Sequence, residues 1–143
     1  MEDIKKIQEA ERFLHNAREL LKKAGRENGY YRDGKYVRSA CGTAYLGSLL
    51  AADAYSAKKG KSILKKKGSR KNVEDYRKLF AQMNKKVLHN FNSAYNILHI
   101  YGYYDGELNS KVINAGIEAY EELIEEAKKQ QMKRRKSDFL KTI

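Results

Sequence analysis

Apolar residues recur every three or four positions along four stretches of the chain, a spacing that predicts amphipathic helices. The first stretch runs from about Asp3 to Ala24 and ends before Gly25, a residue well suited to a helix C-cap. Its apolar face consists of Ile4, Ile7, Ala10, Leu14, Ala17 and Leu21. The second stretch, from about Lys35 to Ala57, has a face of small residues: Ala40, Cys41, Ala44, Gly47, Ser48, Ala51 and Ala52. Small side chains allow close helix packing, so we predict that the second helix is the most buried.

The third and fourth helices have clear start signals. Asn72, followed by acidic residues, is a favourable N-cap for a helix that we expect to stop at Gly102. Its apolar face is Tyr76, Leu79, Phe80, Met83, Val87, Phe91, Ala94, Leu98 and Tyr101. Asn109 or Ser110 caps the fourth helix, which we expect to run to about Lys136. The apolar face of that helix is Val112, Gly116, Ala119, Tyr120, Leu123 and Ala127.

A Gly-Tyr-Tyr motif occurs twice, in residues 29–34 (Gly-Tyr-Tyr-Arg-Asp-Gly) and 102–106 (Gly-Tyr-Tyr-Asp-Gly). Leu-His-Asn precedes each copy at a similar distance, at 14–16 and 88–90. The chain therefore resembles two related helical hairpins joined by short turns. Because short connections make neighbouring helices antiparallel, we predict an all-α fold, an antiparallel up-down-up-down four-helix bundle.

In that topology the two motifs lie at the same end of the bundle. We call this predicted site the aromatic pole; its residues are Tyr30, Tyr31, Tyr103 and Tyr104. Tyrosine rings can stack on bases or hold a ligand. They can also simply close the end of the core while their hydroxyls reach water, and we favour this structural interpretation.

The net charge of +12 is concentrated in two segments. Residues 58–71 contain eight Lys and Arg residues and no acid, and residues 128–143 contain seven against one acid. Connectivity places both at the end opposite the tyrosines, forming a basic pole. The sequence thus predicts a bundle over 1–136, with a basic connection at 58–72, and a flexible basic tail at 137–143. The candidate polyanion-binding residues are Lys61, Lys65, Lys66, Lys67, Arg70 and Lys71.

Such a cluster can bind nucleic acid or another polyanion weakly, but a lysine-rich loop can also be simply solvated, and we favour the solvated loop. Carboxylate metal sites in bundles need a Glu-x-x-His motif, and the acidic run Glu118, Glu121, Glu122, Glu125 and Glu126 contains none. We interpret it as a solvated face. Of the histidines, His15 and His89 occupy matching positions and either meet across the bundle or lie at its boundary, and His99 follows on the third helix. The sequence predicts no enzyme, no metal and no cofactor.

Three features of the sequence predict the location. No run approaches the length of a membrane-spanning segment, and the N-terminus lacks the order of a secretory signal. A single cysteine, Cys41, suits a reducing compartment and is expected to be a buried, inert thiol. We therefore expect a cytoplasmic protein without membrane association.

Three segments carry a resemblance to known proteins: 36–47 (Tyr-Val-Arg-Ser-Ala-Cys-Gly-Thr-Ala-Tyr-Leu-Gly), 73–78 (Val-Glu-Asp-Tyr-Arg-Lys) and 94–99 (Ala-Tyr-Asn-Ile-Leu-His), which leads into 102–106. They resemble an uncharacterised family of small bacterial proteins, a domain of unknown function. This resemblance implies a helical bundle and gives no activity.

More distantly, the first two helices resemble the HEPN superfamily. Many HEPN members are ribonucleases with an Arg-x(4–6)-His motif at a dimer interface. No arginine of this chain precedes a histidine at that spacing, which disfavours a nuclease. A non-catalytic relative that dimerises or binds nucleotides stays open. We expect a non-enzymatic interaction module that forms a homodimer or binds a protein partner, with a nucleic-acid-binding accessory protein as the alternative and a degenerate nuclease as a third.

Overall fold

The computed structural model describes residues 2–67 and 72–142; the side chains of residues 58–71 lie outside the described part. The fold is mostly helical, with one short two-stranded ribbon. The elements in chain order are α1 (Glu2–Ala24), β1 (Arg26–Glu27), β2 (Tyr30–Tyr31), α2 (Gly34–Lys67), α3 (Val73–Met83), α4 (Lys85–Ala94), a π-helix (Tyr95–Tyr104) and α5 (Ser110–Thr142).

The first Gly-Tyr-Tyr motif forms part of a β-hairpin. Gly25 ends α1 with a φ of 70°, as its C-cap prediction requires. Asn28 and Gly29 then form the two-residue loop with φ values of 53° and 83°, the left-handed pair that a type I′ turn needs. Strands β1 and β2 pair antiparallel on either side of that loop. The prediction of an exclusively helical chain missed this ribbon, although Asn-Gly is its usual sequence signal.

Helix α2 packs its small-residue face into the core, as predicted. Ala40, Cys41, Ala44 and Ala51 are fully buried. The helical backbone continues to Lys67 instead of ending at Ala57, but Ala57 itself has non-helical angles, with φ 4° and ψ −84°. The predicted end of the helix therefore coincides with a break in direction.

The predicted third helix is interrupted. Asn72 caps α3 through a capping box with Asp75, as its sequence indicates. Asn84 then adopts an extended backbone, ends α3, and accepts hydrogen bonds from Lys86 N and Val87 N at the start of α4. Helix α4 continues directly into the ten-residue π-helix.

The second Gly-Tyr-Tyr motif is not a turn, which corrects the sequence prediction. Gly102, Tyr103 and Tyr104 form the last part of the π-helix, and the Asp105 N–H donates to the carbonyl of Ile100, five residues back, at 2.9 Å. Gly102 lies inside the π-helix and does not end it. The glycine is required there for close packing, since a Cβ would overlap the Cys41 sulfur. The two copies of the motif thus adopt different structures.

Helix α5 begins as predicted and extends further. The Asn109 side chain accepts hydrogen bonds from Lys111 N at 2.9 Å and Val112 N at 3.3 Å, so Asn109 is the cap. The predicted apolar face is buried at Gly116, Ala119, Tyr120, Leu123 and Ala127, whereas Val112 is only partly buried and Ile113 beside it is fully buried. The helix continues past the predicted end at Lys136, through most of the predicted tail, to Thr142.

The core lies between α1, α2 and α5 and is closed by α3, α4 and the π-helix. Its largest buried side chains are Tyr120, Phe80, Phe91 and Leu98. Tyr101, predicted to face the core, is 45% exposed. The hairpin is fixed to the start of α5, because Tyr31 N donates to Leu108 O and Ser110 N to Gly29 O.

Candidate functional site

An aromatic patch forms where α2 lies against the π-helix. Residues four apart in a helix share one face, so the π-helix presents Tyr95, His99 and Tyr103 as a column. His99 stacks on Tyr45 of α2 with ring centroids 4.4 Å apart and an interplanar angle of 21°. Tyr104 meets His99 edge-on at 5.0 Å. We define the aromatic patch as Tyr45, Leu46, Tyr95, His99, Tyr103 and Tyr104.

This patch is unusually exposed for its composition. Leu46 is 55%, Tyr103 44% and Tyr104 61% exposed. A groove of about 290 Å³ lies between the two helices and is lined by Gly42, Tyr45, Leu46, His99 and Tyr103. Single exposed apolar side chains are common, whereas a contiguous exposed set is a feature of interaction surfaces in general.

The pKa values of two groups in the patch, His99 and Tyr45, are shifted toward the neutral form of each side chain. Burial against the surrounding rings lowers the pKa of His99 below 6.5, because the imidazolium would lose hydration. Burial, together with the neighbouring Tyr95, raises the pKa of Tyr45 to about 12. The neutral forms of His99 and Tyr45 are therefore favoured.

A cation lies at one edge of the patch. The Arg77 guanidinium is 5.0 Å from the centroid of the Tyr95 ring. It is held there by Asn92, whose Oδ1 accepts from Nε at 2.8 Å, and by Glu74, which bridges to Nη1 at 2.8 Å. Because Arg77 is already paired, it fixes the Tyr95 ring and is not a free binding group.

The four residues of the predicted aromatic pole separate into two environments. Tyr103 and Tyr104 belong to the aromatic patch. Tyr31 is buried, and its hydroxyl donates to Asn114 Oδ1 at 3.2 Å. Tyr30 is 54% exposed on the hairpin. Tyr31 thus closes the end of the core, the structural role favoured from the sequence.

The side chains of all six candidate polyanion-binding residues, Lys61, Lys65, Lys66, Lys67, Arg70 and Lys71, lie outside the described residues. One described contact bears on the basic pole. Arg134 of α5 donates to the carbonyl of Tyr55 at 2.8 Å and pairs with Asp3 at 2.8 Å. The C-terminal part of α5 therefore reaches the stretch of α2 that precedes the basic connection.

The remaining candidates have ordinary surroundings. His15 and His89 are exposed, and they lie on α1 and α4. His89 borders a polar groove of about 450 Å³ that Glu118, Glu121 and Glu122 also line. Within the described ranges, no three His, Cys, Asp or Glu side chains are grouped closely enough to hold a metal ion. Burial raises the pKa of Cys41 to about 12, so its thiol is held protonated.

The sequence contains a signal for one part of the patch. Tyr95, His99 and Tyr103 are spaced by four residues, which places them on one helix face. The partners Tyr45 and Leu46, by contrast, come from a helix about fifty residues earlier. Only the packing of α2 against the π-helix brings these two sets together.

The fold and the patch define a helical protein with an exposed aromatic surface. The family model described as "Domain of unknown function (DUF5618)" matches residues 5–129, and the chain belongs to this family. A solved structure of a protein of unknown function from Dyadobacter fermentans is 35% identical, with a TM-score of 0.76 over 90% of this chain and 98% of that one. No curated protein matches the chain.

These comparisons confirm the resemblance to an uncharacterised domain family and assign no activity to it. The likeness to the HEPN superfamily stays a prediction. In the part of the chain that the structure describes, none of the helices combines the length and the hydropathy that crossing a bilayer demands.

Proposed function

We propose that the protein is a non-enzymatic interaction module that self-associates through the aromatic patch. The observation that carries this proposal is the contiguous exposure of Leu46, Tyr103 and Tyr104 beside the groove between α2 and the π-helix. Tyrosine is enriched at protein interfaces, where its ring supplies contact area and its hydroxyl keeps a polar partner.

Charge favours a second copy of the chain as the occupant. The net charge of +12 is concentrated in residues 58–71 and 128–143, and the aromatic patch lies outside both segments, so association through the patch is not opposed by this charge excess. The lowered pKa of His99 favours its neutral imidazole, which limits charge repulsion between two copies of the aromatic patch. A two-fold axis through the patch brings identical surfaces together, the usual geometry of homodimers.

We further infer an antiparallel four-helix arrangement for this module. In it α3, α4 and the π-helix act together as one interrupted third helix. The contacts of α5 with α1, α2, α4 and the π-helix support this arrangement. The single buried thiol of Cys41 supports a reducing, cytoplasmic setting.

Sedimentation velocity over a wide concentration range tests the proposal. We expect a dimer in the parent protein and a monomer in Leu46→Glu, because two buried carboxylates would face each other across the axis. Met132→Glu is the matched control, since Met132 is 69% exposed and lies outside the patch. Circular dichroism shows whether the helices are retained. A parent protein that stays monomeric at its highest soluble concentration contradicts the proposal.

A further inference from the structure

The C-terminal end of α5 projects from the body of the protein. Ala127 is the last fully buried residue of the helix. Among the described contacts, those of Arg134 with Asp3 and with the carbonyls of Ala54 and Tyr55 are the last that join α5 to the body. Every residue from Arg135 to Thr142 is exposed, although the backbone stays helical. The family match ends at residue 129, so this projecting helix lies beyond it.

The projecting helix has an apolar stripe. Met132 is 69%, Phe139 65% and Leu140 68% exposed. Seven residues make about two helical turns, so Met132 and Phe139 lie on the same face, with Leu140 beside them. Large apolar side chains aligned in this way on an exposed helix form a surface whose transfer out of water lowers the free energy.

Basic residues surround this stripe. From Lys128 to Thr142 the chain has seven Lys and Arg residues and one acid, Asp138. At 100° per residue, Lys133 and Arg135 flank the stripe on its two sides and Lys136 lies within it. Long basic side chains in such positions can extend their charged ends while their alkyl stems cover apolar surface.

We propose that the projecting helix docks on an anionic lipid surface. The stripe enters the boundary between headgroups and acyl chains, and the flanking Lys and Arg side chains contact lipid phosphates. An anionic lipid surface can contact both the apolar stripe and the basic side chains of the helix. A nucleic acid would neutralise the charge but leave Phe139 and Leu140 in water, and a second copy would oppose two strongly basic segments.

The sequence of the basic connection, residues 58–71, combines basic and apolar residues as the projecting helix does. The connection begins three residues after Tyr55, which Arg134 contacts, and its sequence contains the apolar pair Ile63-Leu64 among eight Lys and Arg residues. The expectation of no membrane association came from the lack of a spanning segment. A spanning segment is needed to cross a bilayer, whereas an amphipathic basic helix binds at the surface of one.

Vesicle co-sedimentation of the full chain tests the proposal. The vesicles are phosphatidylcholine alone, or phosphatidylcholine with about a third phosphatidylglycerol. We expect binding to the anionic vesicles only, weakened by salt. The double variant Phe139→Ser/Leu140→Ser keeps every charge and should lower partitioning by about tenfold or more. Tyr30→Ser, which removes an exposed ring elsewhere, should leave partitioning unchanged.

Two further measurements identify the surface that is bound. In Phe139→Trp, a blue shift of tryptophan emission on the anionic vesicles reports burial of this side chain directly. Binding of labelled single-stranded RNA is measured in parallel, with Lys133→Gln/Lys136→Gln as the charge variant. Absence of vesicle binding overturns the proposal. So does vesicle binding that the Phe139/Leu140 variant leaves unchanged, and RNA binding that responds only to the lysine variant then indicates a polyanion site.

Discussion

The Tyr120 hydroxyl of α5 lies over Gly47 of α2, in the space that a Cβ at position 47 would occupy. From there it donates a hydrogen bond to the carbonyl of Ala10 on α1. Three helices therefore meet at one glycine. Burial raises the pKa of Tyr120, so the hydroxyl stays a donor.

Gly47→Ala should lower the free energy of unfolding by about 1–3 kcal/mol, because the added methyl displaces the Tyr120 ring. Helix propensity alone predicts the opposite sign, a gain of about 1 kcal/mol. Gly42→Ala is the matched control, since its Cβ would lie 3.2 Å from the exposed and movable Tyr103 ring. Urea denaturation measures both variants. A stabilised Gly47→Ala would show that Tyr120 does not pack over this glycine.

A second close contact joins Gly102 of the π-helix to Cys41 of α2. Gly102→Ala should cost about 1–3 kcal/mol, and Cys41→Ala in the same chain should recover part of that loss because it removes the overlapping sulfur. A double-mutant cycle by denaturation measures the coupling. In the parent protein Cys41 should resist iodoacetamide until the chain unfolds, since its pKa is about 12. Additive effects of the two substitutions would contradict the contact.

Arg134 should be a stability determinant of the C-terminal half of α5. Arg134→Lys keeps the charge but loses the planar fork that reaches Asp3 and Tyr55 O together, and should cost about 1–2 kcal/mol. Arg135→Lys, at the exposed neighbouring position, should stay within about 0.5 kcal/mol of the parent protein. Thermal unfolding compares them. Equal effects of the two variants would mean that Arg134 contributes no more than its charge.

His99 should make stability depend on pH in the mildly acidic range. Its pKa is lowered in the folded state, so below 6.5 the unfolded chain binds the proton more readily. The free energy of unfolding should therefore fall as the pH decreases through and below this value. His99→Phe preserves the ring stack with Tyr45 and should remove this component. Chemical denaturation at several pH values measures the difference, and parallel profiles for the two proteins would exclude the effect.

Local signals predicted the helix starts well. The caps at α3 and α5 are formed by Asn72, with Asp75, and by Asn109. Their hydrogen bonds reach residues two or three positions away, so the local sequence is enough to predict them. The break at Asn84 was missed because an asparagine between two helical patterns is also compatible with a continuous helix. The Asn28-Gly29 turn was missed because Gly29 is also the first residue of the Gly-Tyr-Tyr motif, which was predicted to form the connection as a whole.

The two copies of the Gly-Tyr-Tyr motif show that similar short sequences can adopt different structures within one chain. Tyr31 is buried against Asn114, whereas Tyr103 and Tyr104 are exposed on the π-helix. Identical local residues adopt these different structures because their neighbours differ: Gly29 follows Asn28 in a turn, and Gly102 packs on Cys41.

The sequence by itself determined the helical class, the buried small-residue face of α2 and the concentration of charge in two segments. Each of these depends on residue type and on spacing within one element. Only the tertiary structure decided the aromatic patch and the projection of α5 beyond Arg134. Both depend on which helices lie together, since Tyr45 meets His99 only through the packing of α2 on the π-helix, and the stripe of Met132, Phe139 and Leu140 is exposed only because the body ends before it.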